Sequence, residues 1–163
     1  MKRVPKQATS KAAAYFELTK PSITFLILIS TALGYYLGGD GIEDNIRFLV
    51  TLIGSCLVSS GAGALNHFAE MDSDWLMDRT KKRPIPTGMI EPDHARLFGV
   101  VLTLAGSGLL YFNVNPLTCV LALITTLLYI LIYTPLKKLT WLNTSIGAIP
   151  GSIPPLGGWV AAS

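Results

Sequence analysis

Three oxygen-bearing side chains, Asn66, Glu70 and Asp74, recur at intervals of four residues. On a continuous α-helix each such step advances by only about 40°, so the three side chains would share one face over about 12 Å. Carboxylate and amide oxygens are hard ligands of the kind that Mg²⁺ takes, with water and substrate phosphate completing its shell. The spacing therefore predicts a helical stripe that could hold a divalent cation.

A run of basic residues follows this acidic stripe: Arg79, Lys81, Lys82 and Arg83. Acids that hold a cation, beside bases that grip phosphate oxygens, are what diphosphate binding requires. A basic run beside a membrane is more often a topology signal, but the adjacent stripe favours a phosphate-binding role. In a later connection Lys137 or Lys138 could approach the same phosphate, or serve as a plain anchor at the membrane surface.

The remaining polar residues near the stripe have two interpretations each. Asp72 would point away from the stripe on an ideal helix, and Asp78 would lie past its edge. Either could serve the site or form a solvated pair with a base. His67 could contact a substrate, although a hydrogen-bonded interior histidine is the commoner outcome.

The amino-acid composition indicates that transmembrane helices position these residues. Half of the residues are hydrophobic and 14% are charged, whereas roughly a quarter are charged in soluble domains. This pattern is typical of an all-α, multi-pass transmembrane helical bundle. No basic stripe with interleaved aromatic residues occurs, which argues against nucleic acid as a partner. Cys56 and Cys119 each lie inside an apolar run, which argues against a disulfide or a metal site.

A tail, residues 1–20, precedes five apolar segments that are each long enough to cross a bilayer core of about 30 Å. The predicted spans are about 21–38, 46–68, 95–112, 116–133 and 143–162. The tail and the second and fourth connections are basic, whereas the first connection carries Asp40, Glu43 and Asp44. The positive-inside rule then places the N-terminus and the acidic stripe on the cytoplasmic side of the cell membrane.

The last segment contains Pro150, Pro154 and Pro155 among several glycines. Proline removes a helix donor and clashes with the preceding turn, so this span is expected to be kinked or broken. Irregular backbone at membrane depth survives where it packs against protein or lines a cavity. Both of these alternatives remain open from the sequence.

Several of these segments resemble a known family. The stripe, followed by Met77-x-Arg79-Thr80-x-x-Arg83-Pro84, is similar to the first acidic motif of UbiA-type intramembrane prenyltransferases. The branch that fits best is that of the heme o synthases. Three further segments carry the resemblance: Leu18-Thr19-Lys20-Pro21, Tyr133-Thr134-Pro135-Leu136-Lys137, and Asn143-Thr144 leading into Gly147-Ala148-Ile149-Pro150-Gly151.

The resemblance implies transfer of a farnesyl group from farnesyl diphosphate to a vinyl group of heme b, within a lipid bilayer. It implies Mg²⁺ held by Glu70 and Asp74 with help from Asn66, which together form the catalytic set. It further implies that the diphosphate is contacted by Arg79, Lys82, Arg83 and Lys137. Lys20 is an additional candidate.

Members of this family are longer and carry a second acidic motif. The resemblance therefore implies that this chain is an N-terminal part, and that activity needs the second half of the same bundle. Another UbiA-type transferase, acting on a quinone precursor or chlorophyllide, is an alternative. A transporter or channel fragment is an alternative of a different class, since broken helices and intramembrane acids occur there too.

Overall fold

The computed structural model of the chain describes residues 10–39, 41–137 and 143–163. Within these ranges the ordered elements are all helical. A short helix, α1 (Lys11–Leu18), precedes α2 (Pro21–Gly38), α3 (Asn45–Leu76), α4 (Pro92–Asn113) and α5 (Pro116–Leu127). A π-helical segment, Leu128–Tyr133, then joins α5 to the single turn α6 (Thr134–Leu136), and α7 (Asn143–Ala162) completes the fold.

The prediction of a multi-pass helical bundle is confirmed. Four helical stretches in the described ranges are long and apolar enough to cross a membrane: Pro21–Gly38, Asn45–Leu76, Pro92–Asn113 and Pro116–Leu136. The fifth predicted span forms the 20-residue helix α7. It is not one of these four stretches, because its prolines, glycines and serines lower its mean hydropathy. The second span is longer than expected, so the whole acidic stripe lies on α3.

Of the two outcomes expected for the last segment, a kink or a break, the structure excludes the break. Asn143–Ala162 is one continuous helix with Pro150, Pro154 and Pro155 inside it. Each proline lacks the N–H that would bond to the carbonyl four residues earlier, so this helix loses internal hydrogen bonds. Packing against α2 and α5 compensates for that loss, as happens in helices enclosed by protein.

Small residues allow the helices to approach closely. Along the contact of α3 with α4, a Cβ on Gly61 would lie 2.6 Å from the Gly99 carbonyl oxygen, and one on Gly106 would lie 2.7 Å from the Gly54 oxygen. Along the contact of α2 with α7, a Cβ on Gly38 would lie 2.6 Å from the Trp159 oxygen. Such close backbone contacts are how membrane helices gain packing energy where burial in lipid supplies none.

This packing gives a testable pair of substitutions on α7. A Cβ on Gly158 would collide with the Thr31 backbone of α2, whereas a Cβ on the neighbouring Gly157 meets nothing within 4 Å. We expect Gly158→Ala to destabilise the purified protein by about 1–3 kcal/mol through overpacking. We expect Gly157→Ala to be neutral or to stabilise it by roughly 0.5–1 kcal/mol, because alanine favours helix. Thermal unfolding in detergent measures both; equal effects would contradict the packing described here.

The connection between α3 and α4 is held against the rest of the protein. Ile85 and Ile90 form a core cluster with Ala14 and Leu18 of α1, and Tyr15 packs edge-on against Phe98 of α4. Thr80 and Pro84 are fully buried. Helix α1 and this connection therefore form a fixed layer over one end of the bundle.

Candidate functional site

The polar stripe of α3 is buried under that layer. Asn66, Glu70 and Asp74 are 0%, 3% and 1% exposed. Buried carboxylates persist only where cations or hydrogen-bond donors compensate their charge. Their partners therefore define the site, which we call the charge cluster: Lys20, Glu70, Asp74, Arg83 and Lys137.

Arg83 joins the two carboxylates. Its Nη1 donates to both oxygens of Asp74, at 2.9 and 2.7 Å, and to Oε2 of Glu70 at 3.3 Å. The side chain of Arg83 is 19% exposed. The connection after α3 aims it there, because Thr80 Oγ1 donates to the Asp74 carbonyl at 3.1 Å and turns the chain back. A single cationic atom thus lies within reach of both acids.

Two lysines complete the cluster from other elements. Lys137, which follows α6, forms an ion pair with Glu70. Lys20, at the start of α2, donates to Asn66 Oδ1 and to the Tyr129 hydroxyl at 3.2 Å. Burial lowers the pKa of Lys20 to about 8, and the Glu70 charge opposes this shift.

The backbone of Lys20 supports its inclusion in the site. Lys20 has a φ of 49°, and it is the one residue other than glycine with a positive φ in the described ranges. A side chain in the left-handed region costs about 1–2 kcal/mol. The following Pro21 also disfavours the helical alternative. The strained conformation directs the ammonium group inward.

The π-helical segment brings two tyrosines to the edge of the cluster. The Tyr129 and Tyr133 rings are stacked, with centroids 5.5 Å apart and planes inclined by 15°. Thr134 Oγ1 donates to the Tyr129 carbonyl at 2.8 Å and accepts from Asn66 Nδ2 at 2.8 Å. The acidic stripe and the π-helical segment are thus linked by a direct hydrogen bond.

A cavity of about 610 Å³ extends from the charge cluster into the bundle. Lys20, Tyr129 and Tyr133 line the end that meets the cluster, while Leu110 and Thr118 line the cavity further along the helices. Most of the lining comes from α2, α3, α5 and α7, and Lys20 is the single charged residue among the described lining side chains. Its size lies in the usual range of small-molecule pockets, roughly 300–1,000 Å³.

Some of the residues proposed from the sequence lie outside the cluster. Asp72 is exposed. Asp78 is exposed and pairs with Lys81 at 2.6 Å, which lowers its pKa. Arg79 is exposed and Lys82 is half-buried, and the hydrogen bonds and ion pairs of the cluster involve neither of them. Asp40 and Lys138 lie outside the described residues.

His67 lies in the interior of the bundle, as the sequence interpretation considered commoner. It is 4% exposed, but its Nδ1 has no hydrogen-bond partner among the described residues.

Glu17 and Tyr129 near the cluster were not proposed from the sequence, and Thr134 was named only as part of the segment Tyr133-Thr134-Pro135-Leu136-Lys137. Glu17, at the end of α1, faces Arg83; burial raises its pKa and the guanidinium opposes the shift. Tyr129 and Thr134 bind Lys20 and Asn66, as described above. A local pattern could have indicated Tyr129, since Tyr129, Tyr133 and Lys137 are spaced by four residues. Glu17 lies on a separate element, and no local spacing connects it to the stripe.

Comparison with known proteins agrees with this geometry. Residues 27–163 match the UbiA prenyltransferase family. The chain is similar to the protoheme IX farnesyltransferase of Solibacter usitatus, with 42% identity over 91% of this chain and 54% of that protein. Its identity to the protein of the same name from Sorangium cellulosum is 48%, over 72% of this chain and 42% of that protein.

A solved structure shows the same helical arrangement. Its subject is the biosynthesis of digeranylgeranylglyceryl phosphate synthase in membranes, and it matches with a TM-score of 0.82 at 25% identity. The match covers 94% of this chain and 54% of that one. The chain thus spans about half the length of the curated relatives and of the solved structure that it matches.

Proposed function

Because the chain belongs to the UbiA prenyltransferase family, we propose that the full-length protein transfers a farnesyl group from farnesyl diphosphate to a vinyl group of heme b. The products are heme o and diphosphate. The names of the similar proteins support this substrate pair. The observation that carries the proposal is a cluster of two buried carboxylates and three bases, one of which, Lys20, also lines the end of a mostly apolar cavity.

The charge balance of the cluster suits an anion. Lys20, Arg83 and Lys137 outnumber the buried carboxylates Glu70 and Asp74. Glu17 is a further acid facing Arg83, but it is only partly buried. Arginine presents a planar fork that binds phosphate oxygens in pairs, and lysine adds mobile point charges.

The cluster also fits Mg²⁺ as a cofactor. Glu70 and Asp74 would hold the ion, with Asn66 as a neutral oxygen ligand. Within the described ranges no group of three acidic, histidine or cysteine side chains could hold a metal ion. Arg83 Nη1 lies within hydrogen-bond distance of both carboxylates, so a cation near that position could contact both acids. Mg²⁺ commonly binds to one or two carboxylates and completes its shell with water and phosphate. When bound, it would neutralise charge on the diphosphate.

The residues of the chain would then act on the leaving group. Arg83, Lys137 and Lys20 hold the diphosphate oxygens and stabilise the charge that develops when the allylic C–O bond breaks. The electron pair of that bond leaves with the diphosphate. The heme vinyl group attacks the allylic cation, and water adds to the resulting cation with loss of a proton. The apolar walls keep bulk water from the first cation.

The placement in the membrane is part of the proposal. The N-terminus and the charge cluster would lie on the cytoplasmic side, because the basic connections are at that end. Farnesyl diphosphate would then bind with its charged head toward the cytoplasm and its tail in the bilayer. Labelling of single cysteines introduced at Ser10 and at Glu43, in intact and permeabilised cells, would test this orientation.

The function is tested with the purified full-length protein in detergent and Mg²⁺. We expect farnesyl diphosphate and heme b to give heme o and free diphosphate, while 4-hydroxybenzoate in place of heme b gives no prenylated product. Prenylation of 4-hydroxybenzoate would instead favour the related quinone-precursor transferases. If farnesyl diphosphate binds but is not cleaved with any of the acceptors, the proposal is overturned and a transporter is favoured.

A further inference from the structure

The two stacked tyrosines occupy the boundary between the charge cluster and the cavity. Tyr129 and Tyr133 line the cavity, while the Tyr129 hydroxyl accepts a hydrogen bond from Lys20. The lining carries no carboxylate among the described residues. The electron-rich groups at this end of the cavity are therefore the two aromatic rings.

Both rings already have a cation near them. The Lys20 ammonium lies 5.7 Å from the centroid of the Tyr129 ring, and the Lys137 ammonium lies 6.0 Å from that of Tyr133. Such distances lie within the range of cation–π contacts, in which a positive charge is attracted to the negative face of the ring. Because the Lys20 ammonium also donates to the Tyr129 hydroxyl at 3.2 Å, it lies beyond the hydroxyl end of that ring and leaves the ring face to other groups.

The backbone holds the ring pair in place. A π-helical segment is rare, and it often marks a functional position in a helix. Here it widens the turn that contains Tyr129, and the Thr134 hydroxyl donates a hydrogen bond to the Tyr129 carbonyl oxygen. On the other side Gly147 leaves room for the Tyr133 ring, since a Cβ there would lie 2.8 Å from Cε2 of Tyr133. The pair is therefore fixed by contacts from α7 as well as from its own helix.

We propose that Tyr129, backed by Tyr133, is a catalytic residue that stabilises the allylic cation after the diphosphate leaves. This inference rests on the proposed function. Diphosphate binding would draw the ammonium groups of Lys20 and Lys137 toward phosphate oxygens. The first carbon of the prenyl chain would then lie beside the ring faces, where the C–O bond breaks and positive charge forms. No proton or electron is transferred to either ring.

The test varies the electron density of one ring while keeping its shape. In the full-length protein Tyr129 is replaced by phenylalanine and by mono-, di- and trifluorinated phenylalanines, and kcat and KM for farnesyl diphosphate are measured with heme b. All of these variants lack the hydroxyl that binds Lys20, so they differ from one another in the ring alone. We expect kcat to fall steadily, by about tenfold from phenylalanine to the trifluorinated ring. KM should hardly change, because the cation forms only after binding.

A matched series at Tyr111 serves as the control. Tyr111 is half exposed on α4 and packs against Phe112, so fluorination there should leave kcat unchanged. A flat kcat across the Tyr129 series, in a protein whose unsubstituted form makes heme o, would overturn the inference and leave the proposed function intact. If the unsubstituted protein releases no diphosphate, the proposed function itself fails. Tyr129→Leu, checked for folding by thermal unfolding, should lose at least as much kcat as the trifluorinated variant.

Discussion

Replacing Glu70 by Gln or Asp74 by Asn in the full-length protein is expected to lower kcat/KM for farnesyl diphosphate by at least about 100-fold. Loss of one group that stabilises developing charge commonly costs that much. Each amide keeps the size of the side chain but removes the negative charge that would bind Mg²⁺. Product formation with farnesyl diphosphate and heme b measures the loss, over a range of Mg²⁺ concentrations.

Asp72→Asn is the matched control for this experiment. Asp72 lies on the same helix between the two acids, yet it is exposed, so we expect nearly unchanged activity. Because Glu70 and Asp74 are buried beside bases, folding of each variant must be checked by thermal unfolding in detergent. A folded Glu70→Gln variant with unchanged turnover and Mg²⁺ requirement would refute a metal and leaving-group role for this carboxylate.

Arg83→Gln is expected to impair both binding and stability. Arg83 bridges Asp74 and Glu70, and removing one partner of a buried ion pair leaves uncompensated charge, at a cost of about 3–5 kcal/mol. We expect a rise in KM for farnesyl diphosphate and a fall in kcat, since the guanidinium would contact phosphate in the ground state and in the transition state. Steady-state kinetics and the melting temperature provide the two measurements.

Arg79→Gln is the control for Arg83, because the two arginines belong to the same basic run but Arg79 is exposed. We expect Arg79→Gln to keep its melting temperature and most of its activity. Equal losses in the two variants would mean that the run acts through its total charge as a topology signal. Addition of Mg²⁺ and diphosphate should partly restore the melting temperature of Arg83→Gln, because Mg²⁺ would compensate Glu70 and Asp74 in place of the arginine.

The helical stripe is the part of the site that local sequence could predict. Asn66, Glu70 and Asp74 lie on one face because hydrogen bonding along α3 sets 3.6 residues per turn. The same regularity predicted that Asp72 would point away from that face, and Asp72 is exposed. The apolar segments predicted the bundle equally well, since only helices of that length satisfy their backbone groups in a bilayer.

The basic run shows where local reasoning stops. Residues 79–83 contain four bases, and their spacing does not distinguish one from another as a partner of the acids. Of these four, only Arg83 contacts the buried acids, while Lys81 pairs with Asp78. The difference arises from the turn after α3, which Thr80 fixes through a bond to the Asp74 carbonyl. Sequence patterns do not encode which member of a charged run turns inward.

Hydropathy and helical period are local properties, and they are sufficient to predict a helical membrane bundle with an acidic stripe. The surroundings of that stripe depend on the packing of the helices. Lys20 meets Asn66 across 46 residues and Tyr129 across 109, and these contacts require helices brought together by glycines and a backbone strained at Lys20. Convergence of distant side chains depends on how the helices pack, and no spacing within one helix specifies it.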